Sequence, residues 1–186
     1  MRGAPLGDRG LGLLIRGKNR ATERAIHLCW FVARWFPSKL YHAVPSWVED
    51  RAIFHIRIAL DRRVKQPLLT TSELAESLIE SAKFYDEQQR WFITVFLLMP
   101  DHVHSLLSFD RDKSMSRVIG DWKRFQRRQH GIRWQEGYFD HRLRDDERGE
   151  QMSAKISYIR NNPVAAGLCS RAEDWPWWIE RSALDE

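Results

Sequence analysis

The stretch RWFITVFLLMPDHVHSLLSF, residues 90–109, limits the fold more than any other part of the chain. An aromatic and β-branched run, Arg90 to Leu98, is broken by Pro100-Asp101 and resumes as a second apolar run from His102 to Phe109, the pattern of two strands joined by a tight turn. Successive side chains of a strand alternate faces, so His102 and His104 point the same way with Cα atoms about 6.6 Å apart. Two imidazoles so placed can hold one metal ion. A His-x-His pair can equally be packed or solvated, but here it begins a strand in the middle of the predicted sheet, where a polar face has little packing reason to exist. Imidazoles with oxygen ligands and open positions suit a catalytic divalent ion, whereas closed structural zinc wants four protein ligands that this sequence does not supply.

The segments around the hairpin complete a pattern. Ala52 to Leu60 alternates Phe54, Ile56, Ile58 and Leu60 with His55 and Arg57, the period of a half-buried strand. Thr70 and Glu73 form a capping box ahead of a helix over Thr71 to Gln88. A second helix, capped by Ser114 or Ser116, runs to His130 with Val118, Trp122 and Phe125 on its inner side, and Gly131 stops it. EGYFDHRLR reads as a fourth strand, and DDERGEQMSAKISYIRNN as a third helix, acidic in its first turn and ended by Pro163. The order β-α-β-β-α-β plus a helix predicts an α+β fold: a ferredoxin-like four-stranded antiparallel sheet with helices on one face and a further C-terminal helix. Many functions share that scaffold, so function has to be read from the site.

Composition sets the outer limits. The 186 residues, 43% hydrophobic and 12% aromatic, suit one core, and 30% charged residues argue against a membrane protein. Residues 1–45, Gly- and Arg-rich at their start, are assigned as a poorly defined extension, and 46–186 as the single domain. The run Ala25 to Phe36 is too short to span a bilayer and no cleavage site follows it, so a cytoplasmic protein with no membrane partner is expected. Cys29 and Cys169 are the only cysteines and form no Cys-x-x-Cys pair, which excludes a disulfide framework and a thiolate zinc site. No internal repeat is present.

A second constellation lies in SYIRNNP. Tyr158 and Asn162 are four apart, so on a helix they share a face, placing a hydroxyl nucleophile beside an amide oxygen ligand. A tyrosine of pKa near 10 is a poor nucleophile unless a cation polarises the electrophile and stabilises the leaving group. A tyrosine on an amphipathic helix is otherwise simply core or interface. The charge balance, 30 basic against 25 acidic residues for a formal +5 and a pI near 9.5, favours a polyanion such as nucleic acid. Lys123, Arg124, Arg127 and Arg128 make a basic face on the second helix that is either a DNA contact or solvated. Arg142 and Arg144, alternating with Leu143, project together toward phosphate near the site. Most of the nine tryptophans belong to the core, with one or two near Trp175 to Trp178 stacking on bases or packing over the sheet edge.

MPDHVHSLL, IRWQEGYFDHRLRDD, YIRNNPVAAGL and DWPWW, in that order and spacing, resemble the single-tyrosine HUH transposases, specifically the REP-associated tyrosine transposases of bacteria, over roughly Val44 to Trp178. The resemblance carries the family's metal-binding pair onto His102 and His104, its catalytic tyrosine onto Tyr158 and its helix-borne third ligand onto Asn162. It implies cleavage and rejoining of single-stranded or hairpin DNA with Mg²⁺ or Mn²⁺, through a 5′-phosphotyrosine and a free 3′-OH. It also implies a homodimer as a partner state. Asp101 stands where the pattern often has Asn, and Ala165 where a basic residue is common; neither change removes a catalytic group. His55 is a neighbour of the metal face without an assigned role, and His141 is unassigned. Two rival readings stand beside this one: a non-catalytic nucleic-acid-binding module, and a metal-dependent phosphoesterase in which activated water replaces Tyr158.

Overall fold

The computed structural model describes residues 48–143 and 150–181. The extension over residues 1–45 with its apolar run, Arg144, and the acidic start of the third predicted helix lie outside the described residues. The elements follow in the order β1 (Ile53–Ala59), α1 (Ser72–Glu87), β2 (Phe92–Leu98), β3 (His102–Ser108), α2 (Met115–His130), β4 (Phe139–Arg142), α3 (Glu150–Arg160), α4 (Asn162–Ala165), a 3₁₀ turn (Ala172–Asp174) and β5 (Trp178–Glu180). Every pairing is antiparallel and the strands lie in the order β4-β1-β3-β2-β5. The first four are the ferredoxin-like sheet expected from the sequence. The fifth strand was not foreseen: three residues are too few to display a period, and β5 is made by pairing Trp178 with Leu97 and Glu180 with Val95 on the edge of β2.

The hairpin has the predicted turn. Met99 N–H donates to the His102 carbonyl at 2.8 Å, and the two turn carbonyls are used as anchors, Asp101 accepting from Leu60 N–H and Pro100 from Leu69 N–H, both at 2.9 Å. The turn is thereby tied to the end of β1 and to the loop before α1, which fixes where the histidines begin.

One face of the sheet carries Phe54, Ile56, Ile58, Ile93, Phe96, Leu98, Val103 and Leu107 against Ala75, Leu78 and Ala82 of α1 and Val118, Ile119 and Trp122 of α2. A register shift between Ile93 and Val95 changes the phase of β2, so that Ile93 and then Phe96 and Leu98 face these helices while Val95 and Leu97 face away. Trp91, Phe96 and Trp122 meet ring to ring at 5.8–6.3 Å, and each indole N–H is satisfied, Trp91 by the Ala82 carbonyl and Trp122 by Ser81 Oγ.

Three local expectations change. Thr71 rather than Thr70 is the N-cap of α1, and its hydroxyl donates back to the Leu68 carbonyl, so no capping box forms. Phe125 is 41% exposed, and the buried position one residue on is held by Gln126, whose amide donates to Ser81 Oγ at 2.7 Å. The buried set of α2, Met115, Val118, Ile119, Trp122 and Gln126, is the i, i+3, i+4, i+7, i+11 stripe, off which Phe125 falls. Pro163 does follow the end of α3 at Arg160, but a further short helix that was not foreseen, α4, begins at Asn162 and carries Pro163 in its first turn. Lacking an N–H it cannot reach the Ile159 carbonyl, and Asn162 Nδ2 donates there instead, at 3.1 Å, and to the Tyr158 carbonyl at 2.9 Å. Ser114 does cap α2 through the Arg117 N–H, and Gly131 does stop it, with a φ of 70°.

Candidate functional site

The opposite face of the sheet is built differently. Half of it is a second apolar cluster of Val95, Leu97, Met99, Leu106, Leu143, Ile159 and Trp175, through which α3 packs on β2 and β3. The other half is polar. Cross-strand partners share a face, so the register Arg57↔His104, Ala59↔His102 and His55↔His141 gathers four histidines and one arginine on the same side. β3 is the central strand and both its faces are covered, which leaves His102 and His104 buried, and His55 with them.

Each ring of the pair is held at one nitrogen. His102 Nδ1–H donates to Asp101 Oδ1 at 2.6 Å, and His104 Nδ1 lies 3.2 Å from His55 Nε2, the His55 and His104 rings stacking at 5.4 Å and 15°. The rings of His102 and His104 meet edge to face at 4.6 Å. Burial lowers the pKa of His102 against the pull of Asp101, and lowers that of His104 well below its ordinary value, with the neighbouring His102, His55 and Arg57 charges adding to the effect. Burial, then Lys155, His141 and Arg57, brings His55 down to about 4. The His102 hydrogen bond holds the Asp101 carboxyl far below the usual carboxylate range. The pair is therefore carboxylate and neutral imidazole. With both Nδ1 atoms engaged within the protein, the Nε2 atoms of His102 and His104 are the ones left to accept a ligand, the arrangement in which metal-binding histidines are oriented by outer partners. This donor set fits a small divalent ion, although among the described residues no third His, Cys, Asp or Glu completes a cluster around one. A further ligand has to be another kind of oxygen donor.

Tyr158 lies on α3 and is 56% exposed. Its ring is approached by Lys155 Nζ at 5.8 Å, and the Lys155 charge contributes to lowering the pKa of His55. Asn162 Nδ2 donates to the Tyr158 and Ile159 carbonyls, so its amide nitrogen is tied to the end of α3 and its Oδ1 is the group of that side chain suited to accept a ligand. No contact within the described residues joins Tyr158 or Asn162 directly to His102 or His104.

The basic residues separate into distinct roles. Lys123 Nζ donates to the Gln135 and Gly137 carbonyls at 2.8 and 2.7 Å, and burial lowers its pKa to about 8. Arg124 pairs with Asp121, which also receives Arg90. Arg127 and Arg128 are exposed. Lys123, Arg124 and Arg127 line a groove with Ser116, Gly120 and Arg133. Arg142 is the partner of Phe54 and so lies on the helix-covered side of the sheet, opposite the histidines rather than beside them. Trp175 donates its indole N–H to the Leu98 carbonyl at 2.9 Å, and Trp178 sits under the Arg160 guanidinium at 4.3 Å, so these tryptophans pack over the sheet edge. Sequence reasoning left His55, Arg57 and Asp101 without roles, although the alternation of β1 already set His55 and Arg57 on the non-apolar face.

The family model described as transposase IS200 like matches residues 50–162. The structure of a REP-associated tyrosine transposase bound to a REP hairpin is similar with a TM-score of 0.58 and 19% identity, over 74% of this chain and 82% of that one. A crystal structure of a candidate transposase from Deinococcus radiodurans R1 aligns with a TM-score of 0.36 and 18% identity, over 64% of this chain and 98% of that one. No curated protein matches the sequence. Among the described residues no helix is long and apolar enough to cross a membrane.

Proposed function

The chain belongs to the IS200-like transposase family, and from that premise we propose that it nicks and rejoins single-stranded DNA at hairpin-forming sequences of the REP kind, with Tyr158 as nucleophile and Mg²⁺ or Mn²⁺ held by His102, His104 and Asn162. The observation that carries the reading is the pair of buried histidines whose Nδ1 atoms are engaged by Asp101 and His55, leaving two Nε2 atoms on one face. A divalent ion at these donors would supply Lewis-acid polarisation of the scissile phosphate. The protein's own part is to present neutral imidazoles, to aim the Asn162 amide oxygen, and to expose the Tyr158 hydroxyl. Tyr158 Oη then forms the bond to phosphorus as the bond to the 3′ oxygen breaks. The phenolic proton is lost to water, the leaving 3′ oxygen takes up a proton from water to become a free 3′-OH, a 5′-phosphotyrosine is left on the protein, and attack by a 3′-OH reverses the step.

His102→Ala and His104→Ala test the metal half. Each removes a buried ring from the polar half of the sheet, so a circular dichroism spectrum establishes that the variant is folded, and cleavage of a labelled single-stranded hairpin in Mg²⁺ or Mn²⁺ by the folded variant is abolished. Unchanged cleavage in both variants rejects the site.

A further inference from the structure

Arg57 is the residue of this face that the proposed chemistry leaves unused. It stands on β1 across from His104 on one side and Phe139 on the other, and its positive charge is felt by His55, His102 and His104. Its Nε–H is buried with no acceptor. The carboxylates that could have answered it are committed elsewhere among the described residues: Asp101 to His102 and Arg62, Glu180 to Arg160. Asp140 is the partner of Ile56, on the other face of the sheet. Lys155 adds a second cation whose charge acts on His55 and whose Nζ lies 5.8 Å from the Tyr158 ring.

A guanidinium stays charged at any physiological pH, and a buried N–H left unpaired costs stability. A divalent ion set on the adjacent imidazoles would add repulsion to that cost. One ligand relieves both: an anion seated between the imidazoles and Arg57, shared by the guanidinium fork and the lysine. Phosphate oxygens match the planar donor fork of arginine, which makes a phosphodiester the fitting anion. We propose that Arg57, assisted by Lys155, forms a seat for one backbone phosphate of single-stranded DNA beside the histidine pair. The proposal rests on the nucleic-acid reading above and names the residue that positions the strand there.

The test needs neither metal nor cleavage, so its failure is separate from that of the tyrosine chemistry. Binding of a fluorescent single-stranded oligonucleotide to the metal-free full chain is followed by anisotropy over a range of salt for wild type, Arg57→Gln and Arg57→Lys. Arg57→Gln is expected to weaken binding about tenfold, the effect of one charge-assisted contact, and to lower the salt slope by about one counterion, with Arg57→Lys recovering the slope but only part of the affinity. The thermal midpoint supplies the readout that a structural role would not give. Removing a half-buried cation whose Nε–H has no acceptor leaves Arg57→Gln at least as stable as wild type, whereas an arginine that holds the fold together would lower the midpoint on replacement. In a parallel arm, inorganic phosphate raises the midpoint of wild type over chloride at equal ionic strength and does not do so for Arg57→Gln. Unchanged oligonucleotide affinity and slope in Arg57→Gln overturn the proposal. Phosphate stabilisation lost in the variant while oligonucleotide binding is untouched overturns the assignment to DNA, and a variant destabilised without any binding change makes Arg57 structural.

Discussion

The two faces of one sheet follow opposite rules. Beneath α1 and α2 polar groups are few and mostly answered locally: Trp91 and Trp122 donate to a carbonyl and a hydroxyl and the Gln126 amide donates to Ser81, while Gln126 Oε1 and Trp134 Nε1 go unanswered, and the remainder is apolar side chains in mutual contact. On the other face, the apolar cluster under α3 gives way to His55, His102, His104 and Arg57, which are buried or half-buried and keep donors and acceptors that the protein does not use. Burial of unused polar groups is costly, so a fold that keeps them concentrates stability on one side and holds the other for a ligand. The same β strands serve both ends because their side chains alternate.

That contrast breaks most visibly at the tryptophan. Trp122→Ala removes a fully buried ring from the α1/α2 face and is expected to cost about 3–5 kcal/mol in chemical denaturation, with His102 and His104 untouched. A loss below about 1 kcal/mol would mean that the helix face is not where the stability lies.

The next effect is a pH dependence owned by the histidine face. The folded protein holds His55 near 4 and keeps His102 and His104 lowered, while in the unfolded chain all three return toward 6.5, so between those values the unfolded state binds more protons. Stability of the metal-free protein is therefore full above about pH 6.5 and declines as pH falls toward about 4. Of this, on the order of 3 kcal/mol belongs to His55. His55→Gln should flatten the decline in a thermal scan across that range; an identical pH profile would place the titration elsewhere.

A smaller effect separates the two kinds of basic residue on α2. Lys123 is a clamp on the 135–137 loop, so Lys123→Met leaves two carbonyls without their donor and costs about 1–2 kcal/mol of stability. Arg127→Ala and Arg128→Ala should leave the melting curve in place and lower the salt slope of DNA binding by about one counterion for each lost phosphate contact. Unaltered slopes would make that helix face merely solvated.

Much of this was legible in the sequence because it is written in periods. The alternation of β1, the Pro-Asp turn and the His-x-His spacing placed three strands and the histidine pair, and Ser114 and Gly131 marked the ends of α2. What stayed hidden depends on partners distant in the chain. β5 exists because Trp178 and Glu180 find the open edge of β2, and Phe125 is outside because Gln126 has Ser81 to bond to. His55 gains a role only when β1 and β3 pair antiparallel and bring its Nε2 to His104. Arg142 was misplaced for a simpler reason. Alternation along β4 tells which residues share a face but not which face that is, and only the register Phe54↔Arg142 settles it.

The most direct test of the account is the covalent intermediate. With a labelled single-stranded hairpin and Mn²⁺, the wild-type protein should form a denaturation-resistant adduct, joined through the 5′ phosphate and mapped to Tyr158 by mass spectrometry of the peptides. Tyr158→Phe, which keeps the ring and deletes the attacking oxygen, should bind the hairpin but form no adduct and cut nothing. Cleavage by the Phe variant, or cleavage by wild type with no adduct, would make water the nucleophile and contradict the tyrosine mechanism.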